Sequence, residues 1–223
     1  MRTAILSDIH GNLEALQACV RHAREQGVDG WAFLGDFVNY GADPLACLDL
    51  VRELAGANPV AVRGNHDEAC LGNDWLDMNP IAQEALAWTN RHIGDEEREF
   101  LTALPYRTEL EEALLVHASA HQPTEWEYVA GPEQARQCLR STRNDLVFAG
   151  HMHAPRAYSR SGDRVSIFEP GDGEPVPLAT SNQWLLLAGS VGQPRDGNRA
   201  AGYLIYDSDR REVTNHRVAY DHE

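Results

Sequence analysis

The chain has 223 residues, 43% of them hydrophobic, and a formal net charge of −15 at pH 7. That apolar content is enough for one sizeable core, so a single domain over 1–223 is expected, and no apolar run is long enough to cross a bilayer. The acidic balance excludes broad affinity for nucleic-acid backbone or an anionic membrane, because both need basic patches.

The N-terminal apolar run is too short for a secretory signal. Four scattered cysteines (Cys19, Cys47, Cys70 and Cys138) lack the paired spacing of a disulfide framework or a thiolate zinc site. Reduced thiols and a cytoplasmic location are therefore expected. Residues 3–7 read as a strand, after which Asn12 can cap a helix carrying Leu13, Leu16, Cys19 and Val20 on one face. Residues 31–34 read as a second strand. Asp43-Pro44 then opens a helix with Leu45, Leu48 and Val51 at helical spacing, and residues 59–62 read as a third strand. Strands alternating with helices predict a mostly parallel sheet with βαβ crossovers.

From 68 to 104 the pattern predicts inserted helices covering the rim of the site. One starts at Asn79-Pro80 and bears Ile81, Ala85 and Trp88, and another is capped by Asp95 and bears Phe100, Leu101 and Leu104. Trp75, Leu76 and Met78 in this stretch could form a homodimer contact. Strands over 113–116 and 145–149 flank a helix over 132–139. Beyond Pro155, short runs at 164–168, 184–187, 202–206 and 212–218 lie between turn-forming clusters, which predicts antiparallel strands making a second sheet. The expected architecture is α/β, two packed sheets with helices on the outer faces.

The chemistry gathers where these strands end. Asp8 and His10 follow the first run, Asp36 the second, Asn65, His66 and Asp67 the third, His117 the fourth, and His151 and His153 the fifth. In open α/β sheets the carboxyl edge is where ligands bind, so residues distant in sequence would converge there. Carboxylate, imidazole and amide oxygen together suit zinc, manganese or iron, whereas calcium or magnesium would draw mostly oxygen. Asp8 and His10 are two apart, as are His151 and His153, so each pair would point to one side of an extended segment. Gly11, Gly35, Gly64 and Gly150 would allow sharp turns at the strand ends. A lone Asp after a strand is more often a helix cap, and a lone His more often a satisfied core or surface residue. Five such strand ends in one chain point instead to a metal site.

At these residues the sequence resembles the calcineurin-like metallophosphoesterase superfamily, whose D-x-H, G-D, G-N-H-[DE], H and G-H-x-H elements all occur between Asp8 and His153. The segments 35–41, 63–67 and 189–195 look like its small bacterial branch of phosphodiesterases and diadenosine tetraphosphatases. The resemblance implies a four-layer αββα sandwich. It also implies that Asp8, His10, Asp36 and His153 hold one divalent ion while Asp36, Asn65, His117 and His151 hold a second. Manganese is the expected metal, with iron, zinc or nickel as alternatives. Two cations sharing a bridging water would lower its pKa from about 15.7 toward roughly 7, supplying hydroxide to attack phosphorus. His66 is then the natural general acid.

One departure bears on substrate. Where the protein phosphatases and symmetric tetraphosphatases of the superfamily carry an Asp-Arg pair, this chain has Asn39-Tyr40. Asn39 could accept a hydrogen bond from His66 but carries no charge, and Tyr40 cannot fork onto two phosphate oxygens as Arg does. Arg195, Arg63 and Arg156 are the remaining candidate phosphate contacts, and His121 is a candidate for the pocket lining. His22 and His92 on predicted helices, and His216 and His222 near the acidic tail, need no metal role. The expected function is hydrolysis of a phosphodiester or phosphomonoester of a small substrate. The alternative is a non-catalytic, metal-binding interaction scaffold of the same fold.

Overall fold

A computed structural model of the chain describes residues 1–72 and 78–222. Two mixed sheets face each other. The first has the order β2-β1-β10-β11-β8, built from β1 (Arg2–Leu6), β2 (Gly30–Phe33), β8 (Pro175–Pro177), β10 (Ala201–Asp207) and β11 (Glu212–Val218). The second has the order β3-β4-β5-β9-β6-β7, from β3 (Arg107–Leu110), β4 (Ala113–Val116), β5 (Leu146–Ala149), β6 (Arg156–Ser161), β7 (Arg164–Phe168) and β9 (Gln183–Leu187).

Strict alternation of side chains assigns the layers. On β1, Ala4 and Leu6 turn outward to α1 (Leu13–Glu25) and α2 (Pro44–Ala55), while Ile5 enters the core between the sheets. On β10, Tyr203 and Ile205 face outward while Leu204 and Tyr206 face inward. The second sheet mirrors this. Leu115, Phe148 and Leu186 meet the first sheet, and Leu114, Val147 and Leu185 pack against α6 (Pro132–Arg140). Helix, sheet, sheet and helix thus stack in four layers, each core formed by period-two apolar faces. Asn12 caps α1 through its side-chain oxygen, accepting from Ala15 N at 3.1 Å, as its residue type predicts.

Several expectations are corrected. The C-terminal runs do not form a separate sheet. β7 and β9 complete the sheet holding β4 and β5, with β9 parallel to β5, while β10 and β11 join β1. The run over 59–62 is no strand but an extended segment with a single bridge from Ala61 to Phe33. β3, β6 and β8 were not expected, because their charged, small or proline-rich faces lack the apolar alternation that marks a half-buried strand. Helix α4 (Pro80–Thr89) buries Ala82, Leu86 and Thr89, whereas Ile81 is 74% exposed. Its inward stripe is one position round from the one expected. Helix α5 (Asp95–Ala103) is capped by Gly94, with Asp95 as its first residue. Trp75 and Leu76 lie outside the described residues, and Met78 is partly buried against the outer core of the first sheet. Among the described residues no helix is long and apolar enough to cross a membrane.

Candidate metal centre

The parallel strands β1 and β2 of one sheet and β4 and β5 of the other all end on the same crevice. Asp8 and His10 follow β1, Asp36 follows β2, His117 follows β4, and His151 and His153 follow β5. Asn65 and His66 open the short helix α3 (Asn65–Cys70). Of these, Asp8, His10, Asp36, His66, His117, His151 and His153 are all buried.

The backbone reaches this convergence differently from expectation. Asp8, His10, Asp36, His151 and His153 are not in extended segments; all have φ between 50° and 63°. Left-handed backbone at a non-glycine residue is unfavourable and persists only where the surroundings over-determine it. Here the loops are laced to one another: Asp8 N donates to Gly35 O at 3.1 Å, His10 N to Asp36 O at 2.9 Å and Gly150 N to His117 O at 2.8 Å. Gly64 has an ordinary φ of −99°, so its need for glycine is spatial. A Cβ there would lie 2.1 Å from Asp36 Oδ1.

The polar atoms fall into two groups that share Asp36. Asp8, His10, Asp36 and His153 each offer an atom within 4.8 Å of the others, and Asp36, His117 and His151 do the same. Asn65 Oδ1 adds to the second group, 3.1 Å from His117 Nε2. Each Nε2-facing imidazole is oriented from behind. His10 Nδ1 donates to Val38 O at 3.2 Å, His117 Nδ1 to Leu34 O at 2.6 Å and His153 Nδ1 to Gln193 O at 2.6 Å. Carbonyl partners at Nδ1 leave the Nε2 lone pairs aimed inward, the arrangement used by metal-ligating histidines. The Nε2 atoms of His10 and His153 then face each other at 3.3 Å, which two lone pairs tolerate only with a cation or proton between them. Asp36 Oδ2 is buried without a hydrogen-bond partner, between His10 Nε2 at 3.7 Å and His117 Nε2 at 3.3 Å. An uncompensated buried carboxylate oxygen is costly, and a divalent cation on each side would satisfy it. The donor set therefore fits two cations bridged by Asp36.

Electrostatics point the same way. Burial opposes ionisation of Asp36, yet the surrounding His117, His66 and His10 hold its carboxyl well below the usual range. Burial works against protonation of His117, but the Asp36 carboxylate outweighs it and raises the imidazole to about 9. Burial dominates at His10, which falls well below its ordinary value, and at His151, pushed down to about 3. Asp36 thus keeps its charge and His10 and His151 stay neutral, as metal ligands must, whereas His117 holds a proton that a bound cation would have to displace.

His66 lies beside the cluster, with its ring centroid 4.8 Å from that of His10. Asn39 holds it, although not in the sense expected. The Asn39 oxygen accepts from Tyr40 N at 2.8 Å, so its amide nitrogen faces His66 Nδ1 at 2.7 Å and Ala82 O at 3.3 Å. The amide donates to the ring, leaving Nδ1 unprotonated and the ring proton on Nε2. Burial, together with His117 and His153, lowers the pKa of His66, although Asp36 and Asp8 act in the other direction.

The arginines sort clearly. Arg195 lines the cavity over the cluster and is held by Gln193 Oε1 at 2.6 Å. Arg63 is spent on structure, bonding Glu68 at 2.6 Å and the carbonyls of Leu101 and Thr102. Arg156 belongs to β6 and lines neither cavity beside the cluster. His121 also lines neither, its ring being 3.1 Å from Ser141 Oγ. His216 is a buried β11 residue stacked on Tyr203.

Sequence reasoning assigned no role to Asp67 or to the aromatic residues at the site. The Asp67 carboxylate accepts from Asp36 N, Phe37 N and Gly64 N at 2.8 to 2.9 Å, bracing the loop that carries Asp36. Burial and the nearby Asp36 raise its pKa to about 7. An acid three residues after Gly64 is a capping signature that could have revealed it. Tyr106, Trp126 and Tyr128 line the cavity, with Tyr128 stacked on His151 at 4.0 Å. No spacing signal in the sequence marks them.

Comparison with known proteins places this geometry in context. The family model described as calcineurin-like phosphoesterase matches residues 1–155. An uncharacterized protein, MJ0912, of Methanocaldococcus jannaschii is 36% identical over 98% of this chain and 87% of its own length. The crystal structure of a metallophosphoesterase from Sphaerobacter thermophilus superposes with a TM-score of 0.86 at 38% identity, covering 99% of this chain and 90% of that one. A symmetrical bis(5'-nucleosyl)-tetraphosphatase of Chromohalobacter salexigens is 30% identical over 66% of this chain, which spans 54% of that protein. The chain belongs to the calcineurin-like phosphoesterase family.

Proposed function

We propose that the protein is a binuclear metal-dependent hydrolase of small phosphate esters. In this reading Asp8, His10, Asp36 and His153 hold one divalent ion and Asp36, Asn65, His117 and His151 the other, with manganese the leading candidate and iron, zinc or nickel alternatives. The observation that carries it is Asp36 Oδ2, an unsatisfied buried carboxylate oxygen flanked by imidazole nitrogens of both groups. Bound divalent ions supply Lewis acidity toward the phosphoryl oxygens and toward an attacking water.

The protein's own residues then have distinct tasks. His66 presents an Nε2 proton beside the cluster and hydrogen-bonds the leaving oxygen with it, stabilising the charge that develops there as the ester bond breaks. Asn39 is a positioning residue: by donating to Nδ1 it selects the tautomer with the proton on Nε2 and disfavours imidazolium. Arg195 stands at the cavity edge, where a guanidinium can meet a phosphoryl oxygen.

The test is hydrolysis of bis-p-nitrophenyl phosphate and p-nitrophenyl phosphate by manganese-loaded protein, before and after His66→Ala. Turnover that falls by about 10²- to 10⁴-fold in the variant at unchanged metal content is expected. Metal-loaded protein that cleaves neither compound, nor any nucleotide ester, would refute the hydrolase reading and leave a binding scaffold.

A further inference from the structure

Two cavities of different chemistry open from the cluster. The larger, about 680 Å³, takes in Asn65, His66 and His151 and is walled by Tyr106, Trp126 and Tyr128. The smaller, about 540 Å³, begins at His10 and runs past Glu14, Asp43, Asp221 and His222. Tyr40 stands between them and lines both, its ring centroid 5.0 Å from those of His10 and His66.

Resting on the phosphoesterase reading above, we propose that the substrate is a phosphodiester with a single phosphoryl group. One arm carries a planar aromatic ring, of nucleobase size, that stacks within the Tyr106–Trp126–Tyr128 wall. The other arm, uncharged or cationic, lies in the smaller cleft.

The wall is suited to a ring. Trp126 lies 5.9 Å from Tyr106 and 5.8 Å from His117 between ring centroids, so its indole bridges the wall and the cluster. Its φ of 54° is an unusual backbone state for so bulky a residue. Strained backbone of this kind collects at ligand-binding positions, where the surroundings hold a side chain in place. Tyr128 has one face against His151 at an interplanar angle of 19° and is 52% exposed, so much of its ring remains open to the cavity. Aromatic platforms accept any base because every base has a π face.

Charge limits the phosphate count. Among the described residues lining the larger cavity there is one guanidinium, Arg195, against Glu68 and Glu125, and Glu68 is already paired with Arg63. The smaller cleft has no lysine or arginine among its described residues, and Glu14 and Asp43 line it. A phosphoryl group held at the cluster would be compensated there, but a further phosphate would lie beyond it, meeting Arg195 offset by Glu125 in the larger cavity and Glu14 and Asp43 in the smaller. Two cavities meeting on either side of Tyr40 give a diester a place for both arms; a monoester would leave one unused.

The decisive comparison uses two diesters that differ only in the base, the methyl esters of uridine 5′-monophosphate and of ribose 5-phosphate, followed by phosphorus NMR with manganese-loaded protein. The expected kcat/KM is at least about tenfold higher for the uridine ester, mostly through KM. Trp126→Ala should reduce that ratio to roughly threefold or less at unchanged metal content. If Trp126→Ala does not fold, Trp126→Leu replaces it, and the wild-type ratio alone still decides. Equal kcat/KM for the two esters would overturn the ring subsite while leaving the hydrolase reading intact. Failure to cleave either, or any other phosphate ester, would overturn both. Faster cleavage of diadenosine tetraphosphate than of the uridine ester would overturn the single-phosphoryl limit, and faster cleavage of uridine 5′-monophosphate itself would overturn the diester assignment.

Discussion

The carboxylate and imidazole cluster and the aromatic wall meet at His117 and His151, yet they are assembled by different means. The cluster loops that carry Asp8, Asp36, His117 and His151 begin at strand ends, and backbone and side-chain bonds tie the loops together: His10 N to Asp36 O, Gly192 N to Asp8 O, His66 N to Asp36 Oδ1. The wall rings Trp126 and Tyr128 lie on the stretch between β4 and α6, where the local backbone bonds are short-range, Glu125 N to Gln122 O and Ala130 N to Tyr128 O. Strand ends and the loops bonded to them hold the reacting groups, whereas a separate loop carries two of the wall rings. Division of this sort lets one scaffold keep its chemistry while its loops set specificity.

Substitutions should therefore separate the two regions by the size and kind of effect. Asp36→Asn removes the only carboxylate common to both ligand groups, and kcat/KM for bis-p-nitrophenyl phosphate should fall at least about 1000-fold with loss of bound metal, measured by elemental analysis of the purified variant. Retention of full metal content would break the claim that Asp36 bridges. Asn39→Ala leaves the ligands untouched but frees His66 Nδ1. A drop of roughly tenfold in kcat, with KM and metal content little changed, is expected from losing this orienting bond. A pure KM effect would instead make Asn39 a substrate contact. Arg195→Ala, at an exposed cavity edge, should raise KM about threefold and spare kcat. A larger loss in kcat would move Arg195 from the rim into the reacting set.

The same division explains what was legible in the sequence. Asp8, His10, Asp36, Asn65, His117, His151 and His153 carry types and spacings that read as ligands, and their strands β1, β2, β4 and β5 are short apolar runs. Legibility failed where the determinants are tertiary. The left-handed backbone at Asp8 and His151 is imposed by neighbouring loops, so the extended geometry expected of D-x-H and H-x-H did not hold. The partition of strands between sheets was equally hidden. β9 resembles any apolar run, and its place beside β5, parallel rather than antiparallel, depends on register with Leu146 to Ala149. β3 and β6 carry arginine, threonine, glutamate and serine on their open faces and look like loops. Asn39 was recognised as a departure, but which end of its amide faces His66 depends on Tyr40 N and Ala82 O, which only the fold brings to it. Tyr106, Trp126 and Tyr128 have no motif at all, because a stacking surface asks only for rings in one place.

The central claim is that two divalent ions share the Asp36 carboxylate. Anomalous diffraction from crystals of manganese-loaded protein tests it most directly. Two anomalous peaks are predicted, about 3.5–4 Å apart, one contacting Asp8, His10 and His153, the other Asn65, His117 and His151, with Asp36 Oδ2 between them. A single peak, or two peaks of which one lies away from Asp36, would contradict the account.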